Sequence, residues 1–210
     1  YCKIGGSREG NITTYQLHIV QESGAYPAGG AGLPSNARAM LTGCYEIPSV
    51  GFSSVSVVTN TTPTGAYRGA GRPEAAAAIE RAVDAFARDI NMDPAEVRRK
   101  NFLQPHEFPL VTPTGSSYDS GEYEANMERA MALFEWDGVE ARRAAARARG
   151  KILGVGLANY VESSIGTPKE RAEITVSPDG QIEVVIGTQP SGQGHETSFA
   201  QVVADMLQAP

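Results

Sequence analysis

Apolar positions along this chain change period several times, and each change marks an element. From Asn11 to Glu22 they alternate roughly as in a strand, with Ile12, Leu17, Ile19 and Val20 as anchors. A Gly/Pro-rich loop is expected from Ser23 to Pro34, a short helix from Arg38 to Gly43, and a β run from Val50 to Asn60. Helical spacing begins at Pro73, which suits a first turn because its missing N–H would have no partner there. Ile79, Val83, Phe86 and Ile90 then recur at steps of four, three and four and make one buried stripe. Asp93 followed by Pro94 reads as the N-cap and first position of a second helix, running to about Lys100.

Residues 104–118 carry Pro105, Pro109 and Pro113 and are expected to form a surface loop. Tyr123, Met127, Ala130 and Phe134 predict a further helix, and Val139 to Arg149 another, ended by Gly150 as a left-handed cap. At Lys151 the texture turns to β. Ile152 to Val161 is a candidate strand. Glu173–Ser177 and Gln181–Gly187 flank the turn Pro178-Asp179-Gly180 and predict a hairpin with one apolar face. Ser191-Gly192-Gln193-Gly194 then opens a helix with Phe199, Val202, Val203 and Met206 on one side. The pattern is α+β, with a boundary near residue 150.

Composition narrows the function. Apolar content of 41% over 210 residues supports a buried core. A net charge of −6, without long single-sign blocks, argues against a nucleic-acid binder. No apolar run is long enough for a membrane span. Cys2 and Cys44 are the only cysteines, so no disulfide scaffold or iron–sulfur cluster can be built from this chain. His18, His106 and His195 stand apart without second ligands, and no metal ligand is expected among them. The arginines at 142, 143, 147 and 149 read as a solvated helix face.

Two segments can carry chemistry. In Thr64-Gly65-Ala66-Tyr67-Arg68-Gly69-Ala70-Gly71-Arg72-Pro73 a glycine turn runs straight into a helix N-terminus. Such a turn lets the backbone approach a ligand, and the helix amides favour negative charge. Arg68 and Arg72 add guanidinium forks suited to carboxylate, phosphate or a polarised oxygen. In Gly192-Gln193-Gly194-His195-Glu196-Thr197 the Gln193 amide can both donate and accept, while Thr197 and the helix amides suit a phosphate. For each, the plainer alternative is an ordinary turn into a helix. Neither segment fits the dinucleotide or phosphate-loop fingerprint. The residues alone lead to two anion-friendly glycine loops on helix N-termini.

At these loops the chain resembles a known family. Thr62 to Ala75, the arginine-rich Arg98-Arg99-Lys100-Asn101-Phe102, Thr112-Pro113-Thr114-Gly115 through Tyr118-Asp119-Ser120-Gly121, and Ser191 to Thr197 are similar, in order, to stretches of the molybdenum-binding large subunits of the xanthine oxidase, aldehyde oxidase and aerobic carbon monoxide dehydrogenase family. The resemblance spans residues 43 to 208. It implies a fragment of two molybdopterin-binding domains, with residues 1–150 the C-terminal part of the first and 151–210 the N-terminal part of the second.

The same resemblance implies a cytoplasmic, bacterial oxidoreductase with a molybdopterin cofactor in its cytosine dinucleotide form. Water would hydroxylate an aldehyde, an N-heterocycle or carbon monoxide, and electrons would leave through an iron–sulfur small subunit and an FAD medium subunit. Arg68 matches the arginine that orients substrate or stabilises developing charge. Gly69 and Ala70 match loop residues beside the metal, Gln193 and Gly194 match cofactor-contacting positions, and Gly192 and Thr197 stand next to those.

Two departures qualify the match. In carbon monoxide oxidisers a copper-holding cysteine follows the loop arginine; here Gly69 stands there, so no copper site is expected. The family's Gly-Gly-Phe-Gly segment and catalytic glutamate are not within these 210 residues, and Glu74 and Glu196 do not occupy the latter's motif position. The chain is therefore expected to be incomplete as an enzyme. A non-catalytic anion- or nucleotide-binding or assembly module on the same fold is the alternative.

Overall fold

A computed structural model describes residues 1–163 and 169–209. The chain divides into two compact units, Tyr1–Glu162 and Ser163–Pro210.

The first unit is built on a three-stranded sheet in the order β1 (Cys2–Gly6), β2 (Ile12–Glu22), β3 (Ser49–Val57). β1 lies antiparallel to β2, and β2 lies parallel to β3 in a register running from Thr14 opposite Ser49 to Glu22 opposite Val57. Parallel neighbours need a crossover, and the segment that includes helix α1 (Leu33–Ala39) supplies it. This helix begins five residues earlier than the apolar pattern suggests. Pro34 in its first turn starts it inside the stretch that reads as loop, and by Met40 the chain has left the helix. β1 has no sequence signal, because Gly5 and Gly6 break the apolar pattern.

Helix α2 (Arg72–Asp89) buries Ile79, Val83 and Phe86, as its spacing predicts, together with Ala75 and Ala82. Its core partners include Tyr15 and Leu17 of β2, Leu41, Cys44, Tyr45 and Phe102. The Tyr45 and Phe102 rings stack at 5.5 Å. Burial, with help from the nearby Glu80 carboxylate, pushes the Cys44 thiol up to about 12.

Helix α3 (Pro94–Asn101) starts where expected. The Asp93 carboxylate accepts from the amides of Ala95 and Glu96 at 2.8 and 3.1 Å. Asn101 ties it to β2, its Oδ1 accepting from the Ile12 amide at 2.8 Å and its Nδ2 donating to Gly10 and Val97 carbonyls, each at 2.7 Å. The proline-rich stretch is more ordered than a plain loop. It holds a small hairpin, β4 (Leu110–Val111) with β5 (Ser117–Tyr118), and Tyr118 is buried with its hydroxyl on the Gly43 carbonyl. In α4 (Tyr123–Leu133) the inward stripe is Tyr123, Met127 and Met131; Ala130 and Phe134 face outward. Helix α5 (Val139–Ala148) carries its arginines partly exposed.

Residues 152–161 do not form a strand. Their burial alternates as a strand's would, Leu153, Val155, Leu157, Asn159 and Val161 turning inward. Two of their backbone groups bond to side chains of the first unit, not to a ladder: the Asn159 amide donates to Glu80 and the Leu157 carbonyl accepts from Arg98. The periodicity reports the burial correctly, but only ladder bonds define a strand.

The second unit contains the expected hairpin, β6 (Ala172–Val176) with β7 (Ile182–Ile186), and helix α6 (His195–Leu207). Ile174 pairs with Val184 and Val176 with Ile182, so the apolar residues share one face. No residue of α6 is fully buried.

Candidate functional site

The first glycine segment, 64–73, enters α2 through a turn of three successive left-handed residues: Gly69 at φ 95°, Ala70 at φ 45° and Gly71 at φ 97°. A non-glycine residue at positive φ is uncommon, so Ala70 stores local strain that its surroundings must hold. Those surroundings are close. The Asn36 amide on α1 donates to the Ala70 carbonyl at 2.8 Å, and a Cβ on Gly71 would overlap the Leu33 carbonyl oxygen. Inside the turn the Ala70 amide donates to Tyr67 at 2.6 Å and the Arg72 amide to Gly69 at 3.1 Å. A Cβ on Gly69 would run into the Pro73 ring. Upstream, the Thr64 hydroxyl donates to the Glu22 carbonyl at 2.9 Å, and Gly30 lies so close to Thr64 that a side chain there has no room.

Arg68 lies at the exposed crest of this turn, next to Tyr67, which is 84% exposed. Arg72 is ion-paired to Glu162. Its fork is thus engaged within the chain. Beside the turn lies a cavity of about 320 Å³, lined by Ile19, Gln21, Leu33, Thr64, Gly65 and Gly71 among others. Gln21 donates to the Gly30 carbonyl at 2.6 Å, while its Oε1 is buried without a hydrogen-bond partner. That acceptor, and Asn36, were not signalled by the sequence, which placed the loop as far as Pro34 and the helix only from Arg38.

Below the turn, Arg98 is fully buried. It donates from Nε and Nη2 to Glu80 at 3.1 and 2.8 Å, and from Nη1 to Asp84 at 2.8 Å. The Tyr45 hydroxyl donates to the other Glu80 oxygen at 2.5 Å. Burial, and then the Glu80 charge, push the Tyr45 phenol far above its usual range. The arginine-rich segment noticed in the sequence is therefore framework: Arg98 and Asn101 are spent inside the fold, and Arg99 pairs with Glu96 and Glu128 at the surface.

The second segment, in the second unit, is built differently. Gly192 and Gly194 take φ of 92° and 74°, and Gly194 caps α6 with no side chain closing the helix start. Its carbonyl accepts from the Thr197 and Ser198 amides at 3.1 and 2.9 Å. Gln193 folds back, its Oε1 accepting from the Ser191 amide, and Gly192, Gln193, Gly194 and Thr197 are all exposed. A Cβ on Gly194 would meet nothing within 4 Å. A helix start without a side-chain cap, beside an exposed amide and hydroxyl, fits a phosphate-bearing group. Arg68, Gly69 and Ala70 share the first turn, and Gly192, Gln193, Gly194 and Thr197 share the second.

Comparison with known proteins decides what these turns belong to. The profile of the molybdopterin cofactor-binding domain matches residues 1–102, and a second profile of that description matches residues 129–210. The chain belongs to the molybdopterin-binding domains of molybdenum hydroxylase large subunits. It is similar to the carbon monoxide dehydrogenase large chain of Afipia carboxidovorans, 33% identical over 229 residues that cover 99% of this chain and 28% of that protein. The nicotine 6-hydroxylase large subunit of Paenarthrobacter nicotinovorans is 32% identical over 224 residues, covering 99% of this chain and 27% of that one. The crystal structure of quinoline 2-oxidoreductase from Pseudomonas putida 86 superposes with a TM-score of 0.81 at 28% identity, covering 98% of this chain and 28% of that one. The α+β architecture of this molybdopterin-binding chain is thus shared with solved molybdenum hydroxylases, and the chain spans about 28% of the length of its curated relatives. Among the described residues, no helix is long and apolar enough to cross a membrane.

Proposed function

We propose that this molybdopterin-binding chain is part of a cytoplasmic large subunit that hydroxylates an aldehyde or N-heterocycle, with water as the oxygen source. Electrons would pass to iron–sulfur and FAD partner subunits. Residues 1–150 are assigned to the first molybdopterin-binding domain and 151–210 to the second. The bound cofactor, in its cytosine dinucleotide form, would supply the two-electron oxidation of the substrate carbon.

This chain's own residues would bind and orient. Gly192, Gly194 and Thr197 offer backbone and hydroxyl groups to a phosphate at the open start of α6, and the exposed Gln193 side chain, its Oε1 taken up by the Ser191 amide, keeps its Nε2 to donate. Arg68 stands on a turn braced from behind, so its guanidinium meets developing negative charge from a fixed base; one such preorganised donor is worth about 3 kcal/mol. Gly69 and Ala70 keep the crest low enough for a cofactor edge to approach.

The observation that carries the substrate reading is Gly69. Its left-handed φ and the Pro73 ring behind it leave no room for a side chain, so the turn as folded cannot present a thiolate to copper. That favours aldehydes and N-heterocycles over carbon monoxide. The test is the complete subunit with its partners, assayed on an aldehyde, an N-heterocycle and carbon monoxide, beside its Arg68→Ala variant. Arg68→Ala is expected to lower turnover about 100-fold at normal molybdenum content. Undiminished turnover removes Arg68 from the site, and efficient carbon monoxide oxidation overturns the substrate reading.

A further inference from the structure

We infer that residues 157–162 are a strap that clamps the start of α2, and that Glu80 and Glu162 are positioning residues for the Arg68–Gly71 turn. The strap touches α2 and its neighbour α3 at three polar points. The Leu157 carbonyl accepts from Arg98 Nη2 at 3.0 Å, the Asn159 amide donates to Glu80 at 2.9 Å, and Glu162 pairs with Arg72. Between these, the Leu157 and Val161 side chains pack on the core.

The spacings agree. Glu80 and Arg72 are eight residues apart on a helix, about 12 Å along its axis. Asn159 and Glu162 are three residues apart in extended chain, about 10 Å. The strap therefore runs antiparallel to α2 and is pinned at both ends of that interval. Its upper pin grips the first residue of the helix, whose own amide bonds the Gly69 carbonyl. Its lower pin is the buried Glu80–Arg98 pair, which is also bonded to Tyr45, Asp84, Pro94 and Leu157. A carboxylate buried beside a guanidinium holds its partners in one geometry, because any shift leaves a charge unpaired in a dry interior. The Tyr160 phenol also contacts Glu162, and burial and that carboxylate push it up to about 12.

The consequence lies one link further on. Residues 69–71 are all left-handed, and the strain at the non-glycine Ala70 persists only if both sides of the turn are fixed. Asn36 fixes one side and Arg72 the other. Releasing Glu162 frees the Arg72 side chain and loosens the base from which Arg68 acts. The inference rests on the proposed role of that turn only for its effect on catalysis; the clamp itself is a statement about the fold.

The experiment uses the complete subunit with three variants, Glu162→Gln, Glu162→Asp and Asn159→Pro, the last removing the amide that reaches Glu80 together with the side-chain contact to Met127, for which Asn159→Ala is the control. Glu80→Gln is a poor test alone, since an uncompensated Arg98 can unfold the protein. Hydrogen exchange of residues 66–72 is expected to rise roughly 10-fold in Glu162→Gln and Asn159→Pro, with Glu162→Asp in between. In the assembled enzyme kcat should fall about 3- to 10-fold with KM little changed, as a misplaced group costs rate more than binding. Unchanged exchange in both Glu162→Gln and Asn159→Pro overturns the strap, whatever the activity. Faster exchange in an enzyme whose wild type turns over no hydroxylase substrate keeps the strap and removes the proposed function.

Discussion

The two glycine turns look alike in sequence and differ in how they are held. Both place Gly-x-Gly in front of a helix, with left-handed glycines at the entry. The turn at 69–71 is gripped by α1 through Asn36 and Leu33, and the helix behind it stands on a buried ion pair. The turn at 192–194 faces open space, with its glutamine folded onto its own backbone. A glycine motif therefore gives the conformation of a turn but not its rigidity, which comes from what packs behind it. The first turn has its conformation held from outside, by α1 and by the start of α2. The second opens into a helix start that no side chain caps.

The largest expected effect breaks the support of the first turn from below. Replacing Arg98 by Met leaves the Glu80 carboxylate buried and unpaired, and is expected to cost about 3 to 5 kcal/mol of stability. The neighbouring Arg99→Met removes only surface pairs and should cost at most about 1 kcal/mol. Urea midpoints of this chain and the two variants measure both. Equal shifts for the two variants would mean that the ion pair under α2 is not what distinguishes this unit.

The next effect compares the turns directly. Gly71→Ala meets both a left-handed φ and the Leu33 carbonyl, and should destabilise by about 3 kcal/mol, combining backbone strain with overpacking. Gly194→Ala meets the strain alone and should cost about 1 kcal/mol. A Gly194 variant as damaging as the Gly71 variant would show that the second turn is held as tightly as the first.

What the sequence discloses follows the same division. Local signals were legible: the stripe of Ile79, Val83 and Phe86, the Asp93 cap, the Pro178-Asp179-Gly180 hairpin and both glycine turns depend on neighbours in the chain. Partners distant in sequence were not. Asn36 bonds a carbonyl 34 residues away, and Asn159 bonds Glu80 across 79 residues. No periodicity encodes such pairs. The resemblance picked out Arg98 and Asn101 without a role, and only their burial shows that they are structural. The 152–161 segment failed for a related reason. Alternating burial is a property of extended chain, while a strand needs a ladder partner that sequence spacing does not specify.

The smallest expected effect asks what Ala70 contributes. At φ 45° an alanine carries left-handed strain of about 1 to 2 kcal/mol, which glycine does not. Glycine in turn frees the unfolded chain and costs back about 0.5 to 1 kcal/mol. Ala70→Gly should therefore leave the folded protein slightly more stable, by about 0.5 kcal/mol, with the Asn36 bond to its carbonyl intact. Function should move the other way. A third consecutive glycine lets residues 69–71 sample conformations that alanine forbids, so Arg68 would be held less firmly and turnover should fall a few-fold while stability rises. A loss of stability on Ala70→Gly would instead mean that the methyl group packs as part of the core. The strain at this turn would then be a by-product of packing, not the cost of presenting Arg68 from a rigid base.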